Sequence, residues 1–229
     1  MKQKLKKFWA SVSVLSFEVL LVLSIFLASL FVFIYVTDAI FDLKSTVLDE
    51  TVFNFLHRYV SEKNTSVMVF ISFFASRDFL LPANVLIVIY FLFINKDYSY
   101  SIRIAAVALG SFAVMSLLKL YFQRPRPQDP IYSHVLGYSF PSGHAMSAMT
   151  FYGLLIYIVF KYVKNSILKW ILIIFLIAVI LAIGTSRVYL RVHYATDVLA
   201  GFSLGVIWLV ISLWLISLIE HKIKSRAAI

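Results

Sequence analysis

Six apolar runs, each long enough to cross a bilayer core of about 30 Å as a helix, constrain this chain more than any other feature. They cover residues 13–36, 79–95, 103–122, 143–161, 167–185 and 198–219. Of the 229 residues, 62% are hydrophobic, against about 45–50% in soluble domains. The sequence therefore predicts an all-α integral membrane bundle of six transmembrane helices, forming one domain over residues 1–229.

The segment between the first and second crossings has a different character. Residues 37–66 mix charged residues with apolar residues at helical spacing, which predicts an amphipathic helix lying at the membrane interface. Residues 67–75 are apolar but too short to span, so they are expected to lead into the second crossing along the interface. The first run is longer than the roughly 7–15-residue core of a signal peptide, so we expect an uncleaved helix.

The distribution of basic residues predicts the orientation. The basic N-terminus and the loops near residues 96–103, 161–169 and 222–226 fall on one side, as the positive-inside rule requires. The chain is thus expected in the inner (plasma) membrane as a multi-pass protein with both termini in the cytoplasm. Segments 123–142 and 186–197 would then lie on the external, periplasmic side.

Charge and cysteine content narrow the function classes. The net charge of +10 is spread over the ends of apolar runs rather than gathered on a soluble face. This pattern favours lipid headgroups over nucleic acid as the partner. The chain has no cysteine, which excludes disulfides, a thiolate nucleophile and cysteine-ligated metals.

Basic residues collect on the predicted external side, where the positive-inside rule predicts few. These residues are Lys119, Arg126 and Arg187. For each one taken singly, the alternative is an interfacial anchor whose charge reaches the headgroups. Together they favour an anionic ligand, because the arginine fork matches phosphate oxygens and lysine adds a point charge. Pro125 and Pro127 are expected to end the third helix and hold Arg126 on a stiff turn.

The stretch PSGH at 141–144 precedes an apolar helical run. Ser142 can cap the helix, and Gly143 lets another group approach the backbone closely. Free amides and the positive end of the helix dipole make such a start an anion site. Taken alone, the stretch is more typical of an ordinary capped helix with a surface histidine at His144.

His193 and Asp197 lie four residues apart at the start of the last crossing. At this spacing they are expected to share one helix face, where the carboxylate accepts the imidazole Nδ1–H and leaves Nε2 free as a nucleophile or base. A structural pair is the alternative. Because three polar clusters meet on one membrane face, a functional site is favoured over the purely structural alternatives for each cluster.

Together these residues resemble the three-part signature of the type 2 phosphatidic acid phosphatase (PAP2) superfamily. The match consists of Lys119 followed after six residues by Arg126 and Pro127, of PSGH at 141–144, and of Ser186 and Arg187 followed by His193 and Asp197. It is complete and in the family's order, and the six-helix layout agrees with the family's membrane branch.

The resemblance implies a role for each signature residue. His193 would attack phosphorus and form a phosphohistidine, Asp197 would hold its tautomer, and His144 would protonate the leaving oxygen. The phosphoryl oxygens would be bound by Lys119, Arg126, Ser142, Gly143 and Arg187. No metal and no cofactor is implied, and the sequence lacks a compact ligand cluster beyond these residues.

Several residues near the signature are left over. Arg124 and Arg191 are extra cations, expected to contact headgroups or a second phosphate rather than the transferred one. His134 is expected in a loop. The lipid tail and the rest of the headgroup are expected to be recognised by residues 37–66 and by the surroundings of Arg77.

The expected function is metal-independent hydrolysis of a lipid phosphate or pyrophosphate at the external membrane face. Undecaprenyl pyrophosphate ranks first as substrate, then phosphatidylglycerophosphate or phosphatidic acid, then a lipid A phosphate. Transfer of the phosphoryl group to another lipid is an alternative within the enzymes. An anion or lipid carrier and a non-catalytic lipid-binding protein are alternatives of other classes. The expected partners are the lipid substrate and the bilayer, with no obligate protein partner.

Overall fold

The structure, a computed structural model, describes residues 2–132 and 135–227, and it describes side chains only between residues 18 and 222. His134, the expected loop residue, lies outside the described residues. The described chain is helical and holds no strand. Its elements are α1 (Lys2–Phe41), α2 (Val47–His57), α3 (Glu62–Phe73), α4 (Arg77–Ile89) with a following π-helical turn (Tyr90–Ile94), α5 (Tyr98–Phe122), α6 (Gly143–Tyr162), α7 (Ser166–Tyr189) and α8 (Ala195–Ala227).

Six segments of the described chain are long and apolar enough to span a membrane, which confirms the predicted layout. They are Glu18–Phe41, Glu62–Ile94, Tyr98–Phe122, Gly143–Tyr162, Ser166–Tyr189 and Ala195–Lys222. The predicted end of the fifth helix at residue 185 was wrong, since α7 continues to Tyr189. Arg187 therefore projects from the last turn of a helix and not from a loop.

The predicted helix between the first two spans is α2. One of its faces packs through Val52, Phe53 and Leu56 against residues of α6, α7 and α8. Val47 and Phe55 lie outside this face of α2 and are exposed. This division gives α2 the amphipathic character expected from its residue spacing.

The second span is a broken helix. Residues 67–75 were expected to lead into it, and residues 67–73 of this stretch belong to α3, which Ser61 caps by accepting a hydrogen bond from the Asn64 amide (3.2 Å). The helix stops after Phe73, and Ser76 caps α4 by accepting from the Phe79 amide (3.3 Å). Since α3 packs along α7, α4 begins after the break with Arg77, whose side chain is exposed and borders the space between α4, α5 and α6.

Helix α6 lies at the centre of the bundle, between α5, α7 and α8. Two glycines four residues apart let α8 approach it closely. A Cβ on Gly201 would lie 2.6 Å from the Ser142 carbonyl oxygen, and one on Gly205 would lie 2.5 Å from the Met149 Cβ. The N-terminal ends of α6 and α8 are thereby held side by side, at the bundle end where α5 and α7 finish.

A side chain at position 201 is expected to destabilise the protein. Gly201→Val would press a Cβ into the Ser142 backbone, and overpacking of this kind costs about 1–3 kcal/mol. Thermal unfolding of the detergent-solubilised protein should show a midpoint lower by several degrees. Leu199→Val, an exposed position on the same helix, is the control and should leave the midpoint unchanged. Equal midpoints for Gly201→Val and the wild type would refute the close approach.

Candidate active site

A cavity of about 570 Å³ opens between α4, α5 and α6 at the end of the bundle where the three sequence clusters meet. The signature residues that line it are Lys119, Arg126, Gly143, His144, Arg187 and His193. The structure thus brings together residues from the end of α5, the start of α6, the end of α7 and the turn before α8. Ser142 and Asp197 are fully buried and are absent from this lining.

Arg126 is fixed by backbone carbonyls. Its guanidinium donates to the carbonyl oxygens of Val192 (2.6 Å), Gly137 (2.9 Å) and Leu136 (3.1 Å). Partial burial lowers the pKa of Arg126 from its usual value, although the Asp197 carboxylate opposes this effect. The group stays charged, because arginine starts from a pKa above 12.

The prolines were expected to end the third helix, but α5 ends at Phe122, before Pro125. Gln123 adopts a left-handed conformation (φ 47°) and its amide still donates to the Lys119 carbonyl (3.1 Å). This reversal terminates α5 in the manner of a helix C-cap. The two prolines then stiffen the segment that carries Arg126 into the cavity.

Lys119 and Arg187 present the other two signature cations. The Lys119 Nζ donates to the Tyr138 carbonyl oxygen (2.5 Å). The Arg187 Nη1 donates to the Ser72 hydroxyl of α3. Arg187 is only 3% exposed, and its Nε–H has no hydrogen-bond partner within the described residues. A buried donor of this kind favours an acceptor in the cavity beside it.

The start of α6 has the predicted cap. The Ser142 Oγ accepts a hydrogen bond from the Ala145 amide (3.4 Å), and the Ser142 amide donates to the Asp197 carbonyl oxygen (3.0 Å). Ser142 therefore shapes the helix end, while Gly143 and His144 face the cavity. The first amides of α6 and the positive end of its dipole lie next to the three cations.

His193 and Asp197 lie together, although not as two residues on one helix face. His193 lies in the turn before α8, which begins at Ala195. Its Nδ1 is 3.5 Å from Asp197 Oδ2 and 3.4 Å from the Ser139 hydroxyl, which itself donates to the same carboxylate oxygen. Its Nε2 faces the cavity, 3.4 Å from an Arg126 nitrogen. The serine thus connects imidazole and carboxylate, whose direct separation is long for a hydrogen bond.

Helix capping explains why the i, i+4 spacing still works. Asp197 is the third residue of α8, and its Oδ2 reaches back to accept from the Tyr194 amide (2.9 Å) at the start of the helix. This is the reach of an acidic residue in a capping box. The same geometry carries the carboxylate past the helix end to His193.

Burial controls the charge of His193, which is 2% exposed. Loss of water around the ring lowers its pKa to about 4, although the neighbouring Asp197 carboxylate favours the charged form. Above that pH the imidazole is neutral, so Nε2 can carry the lone pair that a nucleophile needs.

Three residues of the site were not anticipated from the sequence. They are Ser139 between His193 and Asp197, Ser72 on Arg187, and Asp49 of α2. A signal for Asp49 did exist, because the residues three, four and seven positions later form the buried face of α2. An acid on the apolar face of a helix indicates a buried partner.

The expectation for Arg124 was wrong. Its guanidinium does not face outward to a headgroup: Nη2 pairs with Asp49 (2.9 Å) and Nη1 with Asp197 (2.6 Å). Two buried carboxylates hold the cation inward, and Arg124 is absent from the cavity lining. Arg191 is half-buried, lies over the Phe53 ring at 5.5 Å and is absent from the cavity lining.

The PAP2 superfamily model matches residues 100–219, more than half of the chain. The chain belongs to the PAP2 superfamily. Phosphatidylglycerophosphatase B of Bacillus subtilis (strain 168) is 34% identical over 161 residues, which are 69% of this chain and 76% of that protein.

Two solved structures resemble the chain. The transmembrane PAP2-type phosphatidylglycerolphosphate phosphatase of Bacillus subtilis superposes with a TM-score of 0.76 at 29% identity, covering 86% of this chain and 96% of that one. LpxE of Aquifex aeolicus gives 0.56 at 23% identity over 71% and 93%, a likeness of fold alone. This PAP2 protein is thus a lipid phosphate phosphatase, and the carrier and non-catalytic alternatives are not supported.

The neutral state of His193 is directly measurable by NMR on protein labelled with ¹⁵N-histidine. The ring signals that disappear in His193→Gln should keep the shifts of a neutral imidazole at pH 5.5, where an ordinary histidine of pKa 6.5 is mostly charged. Burial is the cause, since it disfavours the charged ring. A midpoint for His193 at or above 6.5 would contradict this expectation.

Proposed function

We propose that this PAP2 protein removes the terminal phosphate of a membrane lipid through a phosphohistidine at His193, on the external face of the membrane. One observation carries the proposal: the Nε2 of a buried, neutral His193 faces a cavity that also holds His144, Lys119, Arg126 and Arg187. The distribution of basic residues supports the external side. The packing of α1 on α8 supports a single domain over 1–229.

In the first step, the lone pair of His193 Nε2 forms a bond to phosphorus while the bond from phosphorus to the lipid oxygen breaks. His144, in its protonated form, gives a proton to that oxygen and becomes neutral. In the second step, His144 takes a proton from water, the water oxygen bonds to phosphorus, and the N–P bond breaks to release phosphate. Asp197 and Ser139 hold Nδ1 and so direct Nε2 at the phosphorus.

The basic side chains and the N-terminal end of α6 stabilise the negative charge on the phosphoryl oxygens. The three cations bind the phosphoryl oxygens, which suits a reaction that depends mainly on positioning and electrostatics. Within the described part of the chain, no three histidine, aspartate or glutamate side chains could together hold a metal ion. The reaction as proposed needs only the lipid and water.

Arg77 supports a substrate with a second anionic group. It lines the same cavity as the signature cations, beside Leu80 and Leu81, and no aspartate or glutamate belongs to that lining. In the described structure Arg77 makes no hydrogen bond or ion pair. By contrast, Arg103 pairs with Glu220. The Arg77 side chain is exposed and lines the cavity, so a second anionic group on a bound lipid can pair with it.

The position of Arg77 in the cavity lining favours phosphatidylglycerophosphate as the substrate, because its phosphodiester remains on the lipid after cleavage. Undecaprenyl pyrophosphate comes second. The Bacillus subtilis relative named phosphatidylglycerophosphatase B supports the same order, which reverses the ranking expected from the sequence. Phosphatidic acid carries one phosphate and would leave Arg77 without a partner.

Phosphate release by the detergent-solubilised protein tests the proposed chemistry. The substrates are phosphatidylglycerophosphate, undecaprenyl pyrophosphate, phosphatidic acid and a lipid A phosphate, each with excess EDTA. Release should persist in EDTA and fall at least a thousandfold in His193→Ala, since the nucleophile is lost. After the reaction with ³²P-labelled lipid is quenched, a label should remain bound to the wild-type enzyme. The bond that holds it should be labile in acid and stable in base. Release that EDTA abolishes, or that survives in His193→Ala, would overturn the proposal.

The substrate class is tested at Arg77. Arg77→Gln should lower kcat/KM for phosphatidylglycerophosphate about three- to tenfold, because one charge-assisted hydrogen bond is lost near solvent. Phosphatidic acid turnover should be unchanged, and Arg77→Lys should keep part of the preference. Arg191→Gln, outside the cavity, is the matched control. An equal loss on both lipids, or no loss on either, would remove Arg77 from substrate recognition.

A further inference from the structure

The connector helix α2 buries a carboxylate against the start of α8. Asp49 is only 2% exposed, in contrast to its neighbour Glu50, which is exposed. Its Oδ1 accepts from the Thr196 amide and the Thr196 hydroxyl, both at 2.9 Å. The amide is one of the first free amides of α8, so Asp49 acts as a helix cap supplied by another helix.

The other oxygen of Asp49 reaches the catalytic carboxylate through one arginine. Asp49 Oδ2 accepts from Arg124 Nη2 (2.9 Å), and Arg124 Nη1 donates to Asp197 Oδ1 (2.6 Å). The guanidinium lies over the Tyr194 ring, 4.0 Å from its centroid. The Phe53 ring of α2 contacts the Tyr194 ring, with the two ring centroids 5.7 Å apart. One cation therefore bridges two buried carboxylates, in the planar geometry that arginine provides and lysine does not.

This bridge determines which oxygen of Asp197 faces His193. Oδ1 is occupied by Arg124, whereas Oδ2 accepts from the Tyr194 amide and Ser139 and lies beside His193 Nδ1. If Asp49 lost its charge, Arg124 would keep a single carboxylate partner. A neutral side chain at position 49 would hold the second nitrogen of Arg124 less strongly, and the charge on Asp197 would be neutralised more fully by Arg124 than shared with the imidazole.

We infer that Asp49 is a positioning residue for the reaction, acting on His193 through Arg124 and Asp197, and that α2 is therefore part of the catalytic apparatus. This inference rests on the proposed nucleophile. Asp49 does not line the cavity, so its effect is on the chemical step and not on binding of the lipid.

The decisive variant is Asp49→Asn, with Glu50→Gln and Val52→Ala as controls on the same helix. Val52 packs on the same part of α8 without joining the hydrogen bonds, so its truncation reports loosened packing alone. Asp49→Asn should lower kcat at least tenfold and change KM less than twofold. Both controls should keep the wild-type kcat, even where Val52→Ala lowers the unfolding midpoint.

Two further measurements keep the test decisive if Asp49→Asn folds poorly. Arg124→Lys should cause a similar loss of kcat, because lysine cannot hold both carboxylates, and the double variant should be no worse than Arg124→Lys alone. The ¹⁵N shifts of the His193 ring should move in Asp49→Asn and not in Glu50→Gln.

Folded Asp49→Asn with wild-type kcat, full activity in Arg124→Lys, or an equal loss in Val52→Ala would overturn the inference. A wild-type protein inactive on every lipid would instead overturn the proposed function. In that case the His193 ring shifts still decide whether Asp49 acts on the imidazole.

Discussion

The hydrogen bond from the Ser142 amide to the Asp197 carbonyl joins the starts of α6 and α8, and the geometry of the site depends on it. It forms because Gly201 lets the α8 backbone come against Ser142. His144 and His193 then reach the same cavity from two helix ends. Without this approach each histidine would belong to a separate surface.

The same approach creates an electrostatic problem. Two helix N-termini and three cations lie around one cavity, and all of them disfavour further positive charge. This positive charge is partly compensated by two buried carboxylates, Asp49 and Asp197, which lie behind the cavity and are bridged by Arg124. The front of the cavity stays positive and suits a phosphate group, while the neutral His193 lies between the two regions.

The sequence predicted the fold and the signature residues well, because both depend on local pattern. Apolar run length predicted six spans, and short spacings grouped the basic residues and histidines. The residues that complete the site could not be predicted in this way. The Ser139 contact to Asp197 crosses 58 positions and the Asp49 contact to Thr196 crosses 147. Arg124 was misjudged for the same reason, since its buried partner lies on a distant helix.

The Asp49 contact has a consequence for what counts as the functional unit of this chain. The match to the family model begins at residue 100, yet the acid that caps α8 and holds Arg124 lies about fifty positions before it. A chimera that joins the first two spans of another membrane protein to residues 100–219 would keep every signature residue and still leave Arg124 with one carboxylate in place of two. The first two spans and the connector α2 between them thus do more than anchor the chain. Any exchange of this region must keep an acidic side chain at the position of Asp49.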